Sequence, residues 1–414
     1  MQQSSKNDSL LMAYRSQYIQ GLGIAALIFL SLAAAPGSLA QSYALTTLSS
    51  FSATSGYSPR AGLTLSGKTL YGATVKGGSY GRGTVFSVPM TGGAPTVLAN
   101  FNGTNGESPT RNLLLSGNTL YGTTGGGGAY NDGTVFSVPT TGGAPTVLAN
   151  FNGTNGESPF AGLTLVGNTL YGTTCSGGAN GVDIGGCGTV FSVPLSGGKV
   201  TVLASFNGTN GEFPFAGLTV SGRILYGTTR LGGPNGDGTV YSIPTTGGKI
   251  TVLASFNGMN GSGPYASLTL SGRTLYGTTE KGGSYGRGTV FSVPTKGGKV
   301  TVLASFSGMN GEYPYANLTL SGSTLYGTTR DGGSNGIGIV FNVPTKGGKV
   351  TVLASFKGTN GGFPYAGLTL IGSTLYGTTF YGGANNHGTV FSVSTKGSKV
   401  TATKRARTKG KTQR

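Results

Sequence analysis

The chain lacks tryptophan and has one histidine, two cysteines and only ten acidic residues among 414. So few titratable groups leave little material for acid–base or metal chemistry. Long helices are disfavoured by 80 glycines, each costing about 1 kcal/mol in a helix interior. These glycines follow no Gly-X-Y period, which excludes collagen. Charge is scarce, at 9% of residues, and mostly of one sign: 28 Lys plus Arg give a net charge of +18. What is present is 36% hydrophobic residues, including 20 Tyr and 19 Phe, enough to build cores.

Lys6 and Arg15 precede an apolar run at 21–35, which Pro36 and Gly37 break. Ser38 and Ala40 then supply small residues at the −3 and −1 positions of a cut after Ala40. Residues 1–40 therefore read as a secretory signal peptide, and Met12 offers a second start. The expected location is secreted or periplasmic. The alternative is an uncleaved tether, although fifteen apolar residues fall short of the roughly 20 that span a bilayer.

The rest is an internal repeat. Leu-Tyr-Gly begins at Leu70, Leu120, Leu170, Leu225, Leu275, Leu325 and Leu375, in steps of 50 except one of 55. The five extra residues lie between Cys175 and Cys187. Within the unit at 313–356, alternating apolar runs bounded by Gly, Pro, Asn and Ser predict four strands: a at 316–320, b at 323–329, c at 339–344 and d at 349–356. Strand d is apolar on both sides, with Val350, Val352 and Phe356 on one and Leu353 on the other. Such a sheet must be covered twice, which stacking against like sheets achieves.

The expected fold is all-β: a seven-bladed β-propeller of four-stranded antiparallel blades over 41–403, followed by a basic disordered tail at 404–414. A linear solenoid is the alternative, but no capping ends are visible. Pro95 and Pro145 near the start of strand d place that strand outermost. Gly62, Gly162, Gly217 and Gly367 suit strand a to the crowded axis. Strand d occurs eight times, at 43–51 and again, more degenerate, at 399–404. The first copy is predicted to pair with strand c of the last unit, 388–394.

The unit LYGTT…GG…GTVF, preceded by FNGxNGxxPxAGL, resembles the Gloeo/Verruco (GloVer) tandem repeat of exported bacterial proteins over nearly all of 43–398. The paired glycines after strand b are also kelch-like. Members of that choice-of-anchor group are exported and often end in a surface-anchoring segment. Here only a basic tail follows Thr403. The resemblance implies the repeat fold and export, and no enzyme activity.

Antiparallel blades put the a–b and c–d turns on one face and the longer b–c and d–a loops on the other. The tight-turn face carries Lys68, Arg223 and Arg273, together with Lys199, Lys249, Lys296, Lys299, Lys346, Lys349, Lys396 and Lys399, and no acid. A face of one sign concentrates anions. It reads either as a docking surface for anionic envelope material, such as lipopolysaccharide, lipid headgroups or acidic polysaccharide, or as a solvated rim that keeps the disc soluble. The tail cations Lys404, Arg405, Arg407, Lys409, Lys411 and Arg414 have the same two readings. Export argues against nucleic acid.

On the long-loop face, the residue after each strand-a proline is Arg60, Thr110, Phe160, Phe215, Tyr265, Tyr315 or Tyr365. These residues should ring the axial opening, either as a ligand ring or as packing between blades. Cys175 and Cys187 are expected to form a disulfide. Asp183 alone makes no metal site, and His387 reads as a solvated loop residue. Glu107, Glu157, Glu212 and Glu312 belong to different blades, so glycosidase-type pairing is not indicated. The glycine-rich loops precede no helix and are not phosphate cradles. No catalytic residue, cofactor or metal is expected. The expected function is an exported, monomeric binding or scaffold module for a protein or glycan ligand. The alternatives are an envelope-associated structural protein and a polysaccharide-active enzyme.

Overall fold

The repeated TLYGTT and TVFSVP segments form the two central strands of each sheet, with their apolar side chains buried. A computed structural model describes residues 41–179 and 186–399 of the chain. The signal segment, the tail and Asp183 lie outside them. Blade 1 consists of Thr64–Ser66, Thr69–Thr74, Thr84–Pro89 and Thr96–Asn100, hydrogen-bonded in the order a-b-c-d. Blades 2 to 6 repeat that order, and blade 2 gains a fifth strand, Glu107–Pro109. Blade 7 has only Thr369–Ile371, Thr374–Thr379 and Thr389–Ser394 from the C-terminal repeat. Its outer strand is Leu45–Ser50, which pairs Leu45 with Val393 and Ser50 with Thr389. The predicted closure is therefore the one formed. Beside it, Gln41–Ser42 pairs with Ser398–Lys399.

Strand a is shorter than the sequence predicts: in blade 6 it spans only Thr319–Ser321. The residues before it face the neighbouring blade instead of a ladder. The carbonyls of Leu318 and Ala316 accept hydrogen bonds from the Thr269 and Thr278 hydroxyls of blade 5. The same two bonds close the ring, from Thr369 to the Leu63 carbonyl and from Thr378 to that of Ala61.

Two further devices join the blades. Strand d carries a bulge, so that Val85 opposes Ala99 while Phe86 opposes Val97. The extra residue, Leu98, turns its carbonyl to the Gly143 amide in the c–d turn of blade 2, at 2.9 Å. The phenylalanine directly after each strand d then packs edge-on against the strand-c aromatic of the next blade. Phe51–Phe86, at 4.8 Å, belongs to this series, as does Phe356–Phe391 at 5.0 Å. All of these phenylalanines are fully buried. Within most blades a buried threonine pair, such as Thr229 and Thr239 at 2.8 Å, satisfies the end of the b–c ladder.

Candidate ligand site at the axial mouth

Each strand a is delivered to the axis by a left-handed residue just before its proline. Ser58, Ser108, Ser158, Phe213, Tyr313 and Phe363 have φ between 54° and 59°, and the seventh position is Gly263 at 64°. Left-handed backbone is unfavourable for side-chain-bearing residues, and a following proline restricts it further. An inter-blade hydrogen bond holds it: the Ser108 amide donates to the Arg82 carbonyl at 2.9 Å, and the other six positions repeat the bond. This geometry aims the residue after the proline at the axis.

The aromatic residues there form a continuous arc. Phe160 and Phe215 are 6.0 Å apart, Phe215 and Tyr265 stack at 4.7 Å, and Tyr265 and Tyr315 meet edge-on at 5.0 Å. Tyr315 and Tyr365 continue the arc at 5.4 Å. Arg60 closes one end, its guanidinium 5.1 Å from the Tyr365 ring centre. Thr110 closes the other by donating to the Phe160 carbonyl. The rings pack on one another, yet each stays half-buried, leaving part of its surface open.

A second ring lies behind the first, and the sequence reading missed it. It comes from the residue that follows TLYGTT or its equivalent: Val75, Gly125, Cys175, Arg230, Glu280, Arg330 or Phe380. Gly125 leaves room for Phe160, because a Cβ there would sit 2.4 Å from that ring. Phe380 lies under Arg60 at 4.9 Å. Arg230 pairs with the buried Glu280 at 3.2 Å. Arg330 donates to Asp331 at 2.6 Å and to the Tyr315 hydroxyl at 3.4 Å. Burial, with Glu280 nearby, pushes the Tyr315 hydroxyl pKa well up. The signal was visible in the chain: this position varies within an otherwise repeated segment.

Below the mouth is a channel of about 200 Å³, lined mainly by the segments that lead into strand a of several blades. Apart from Arg60 and Arg111 its lining is uncharged, with Ala216, Ala266, Ala366, Gly162 and Gly367 among the small residues there. Blade 2 departs, with Arg111 where its neighbours have alanine. Arg111 Nε donates to the Phe160 carbonyl at 3.0 Å, and its guanidinium lies 4.8 Å from the centre of the Tyr265 ring.

The long-loop rim pairs each b–c loop with the d–a loop 25 residues later. Arg82 pairs with Glu107 and Arg287 with Glu312, while Ser262 donates to Asp237 at 2.6 Å. His387 stacks on Tyr57 at 5.1 Å across the ring closure, so it is a packed residue and not a freely solvated one. Asp132 and Glu157 form the one carboxylate pair of this series, a juxtaposition across blades that the sequence did not indicate. Burial raises both pKa values, and the Asp132 charge raises that of Glu157 further. Among the described residues no three His, Cys, Asp or Glu side chains gather as metal ligands.

The expected Cys175–Cys187 bridge is not formed; both are free, buried thiols. They turn to different neighbours. Cys175 lies against Ser176, and Cys187 Sγ faces Glu212 of the next blade at 3.9 Å. Burial pushes the Cys175 thiol pKa up to about 12.

On the opposite face, Lys199, Lys249, Lys296, Lys299, Lys346, Lys349 and Lys396 are all exposed, as are Lys68, Arg223 and Arg273. Lys399 contributes its backbone to the pairing with Gln41. The four ion pairs of the described residues all lie on the long-loop face.

Among solved structures, similar ones include a periplasmic gluconolactonase of Pseudomonas aeruginosa, 19% identical, with 72% of this chain and 84% of that one covered and a TM-score of 0.49. A putative 6-phosphogluconolactonase of Bacteroides uniformis is 15% identical over 71% and 83%, with a TM-score of 0.46. A putative TolB of Agrobacterium tumefaciens is 14% identical over 69% and 87%, at 0.40. At these values the likenesses say nothing about activity. No curated protein sequence matches the chain. The family model of the Gloeobacter/Verrucomicrobia repeat matches residues 38–185 and 183–391. Matched over most of its length, with its repeats built as seven blades of one ring, the chain belongs to the Gloeobacter/Verrucomicrobia repeat family.

Proposed function

We propose that the chain is an exported, monomeric binding module that takes a glycan at the axial mouth of its long-loop face and does no chemistry on it. Export rests on the signal layout of residues 1–40. The binding reading rests on one observation. Of seven places equivalent by the repeat, five carry an arc of half-open Phe and Tyr rings, ended by Arg60 and Thr110, within surroundings that barely change from blade to blade. Packing alone would be served by one residue type in all seven. Aromatic faces stack on sugar rings, and tyrosine hydroxyls add hydrogen bonds.

A glycan-array screen of the full chain, followed by Tyr265→Ala, Tyr315→Ala and Tyr365→Ala, tests this. Loss of binding with an unchanged melting temperature supports a site. Binding that persists in the triple variant overturns it.

A second reading, docking of anionic envelope material on the tight-turn face, is favoured by lysines that are exposed and outside the ion pairs. Salt-dependent retention on anionic vesicles would support it. No retention at low ionic strength would end it.

A further inference from the structure

Five of the arginines on the long-loop face have an evident role. Arg82, Arg230, Arg287 and Arg330 each hold a carboxylate, in the four ion pairs found among the described residues. Arg111 anchors on the Phe160 carbonyl but faces no acid in an ion pair, and Arg60 is likewise outside those pairs. Arg60 is held between Tyr365 and Phe380, and its buried Nε has no hydrogen-bond partner among the protein groups. Burial, and to a lesser degree the nearby Arg60 charge, act against the Arg111 cation, and Tyr265 offsets them in part. Both guanidiniums line one channel, and an anion between them would relieve the repulsion that their aromatic contacts leave.

We propose that Arg60 and Arg111, which line the same channel at the mouth, form an anion subsite that takes the carboxylate of an acidic saccharide, a uronate. This rests on the reading of the mouth as a glycan site and adds the charge of its ligand. Guanidinium groups bind carboxylates through paired, directional hydrogen bonds, and the Arg60 Nε is a donor with none. The channel, about 200 Å³ and lined by no charged residue besides the two arginines, has room for a carboxylate and the part of the sugar ring bearing it. The remaining sugars would lie over the aromatic arc. That arc favours a saccharide over an acidic peptide or free phosphate, which need no stacking surface.

The test is titration calorimetry of the full chain with oligogalacturonate, its fully methyl-esterified counterpart, polyglutamate and inorganic phosphate. The variants are Arg60→Gln, Arg111→Gln, and, on the opposite face, Lys296→Gln with Lys299→Gln, Lys346→Gln and Lys349→Gln. The acid should bind at least about tenfold more tightly than the ester. Either arginine variant should lose roughly that factor, and the lysine variant should not. Should Arg111→Gln not fold, Arg60→Gln decides alone. Equal binding of acid and ester, still sensitive to Tyr265→Ala, overturns the anion subsite and leaves the mouth as a glycan site. Loss in the lysine variant alone overturns the subsite. Arginine-dependent binding of polyglutamate or phosphate, but of neither sugar, overturns the saccharide assignment. Binding of none of the four overturns the anion subsite, and the glycan-array screen then decides the mouth alone.

Discussion

Tyr241 packs edge-on against Phe206 at 5.0 Å, where the other blade interfaces pair two phenylalanines, and its hydroxyl is buried without a hydrogen-bond partner. Gly227 makes room for it: a Cβ there would meet the hydroxyl at 2.4 Å. An unsatisfied buried hydroxyl costs about 1–3 kcal/mol. Tyr241→Phe should therefore raise stability by roughly 1 kcal/mol. Thermal and urea unfolding check this, and a lower melting temperature would refute the account.

The Asp132–Glu157 pair predicts a pH dependence. Both carboxyl pKa values are raised in the folded state above ordinary values of 3.8 and 4.5. The folded protein then holds protons that the unfolded chain has lost, so this contribution falls as pH rises from those ordinary values through the raised ones. Asp132→Asn should stabilise at pH 7 by a few tenths to about 1 kcal/mol and have no effect near pH 3. Asp132→Arg should do more, by recreating the Arg82–Glu107 arrangement. Melting curves across pH decide it.

The cysteines yield a labelling prediction. With its thiol pKa near 12, Cys175 should resist iodoacetamide at pH 8 in the native protein. Both cysteines should label in guanidinium chloride without reductant. Labelling that requires reductant would show a bridge instead of the free thiols.

Closure of the ring can be weighed with one side chain. Phe51 directly follows the strand that the N-terminal region lends to blade 7, and it is fully buried against Phe86. Phe51→Ala should cost about 3–5 kcal/mol, as should Phe256→Ala in the middle of the chain. A cost near zero for Phe51 alone would mean that this strand frays.

Blade number, strand order and closure were legible because they depend on period and apolar alternation, which the chain displays seven times. The surplus copy of strand d announced the closure at Leu45–Ser50. The aromatic arc was legible too, since a proline marks each of its members. The rear ring was marked only by variation at one position of the repeat: Arg230, Glu280 and Phe380 follow a strand, and nothing local says that the next blade will lie against them. The 25-residue pairing of Arg82 with Glu107 was not legible, because it depends on how far neighbouring loops overhang. Strand a was drawn too long because its alternation looks like a ladder, while its carbonyls are claimed by threonines of another blade. The cysteine reading used their closeness in sequence, and the side-chain directions at Cys175 and Cys187 decided otherwise.

Gln41 lies opposite Lys399, so the described chain starts where it stops. Starting point is then a matter of wiring and not of architecture. A short linker from Lys399 to Gln41 would let the polypeptide be opened at another tight turn, such as that between Ser271 and Thr274, and give a circular permutant with the same seven wedges.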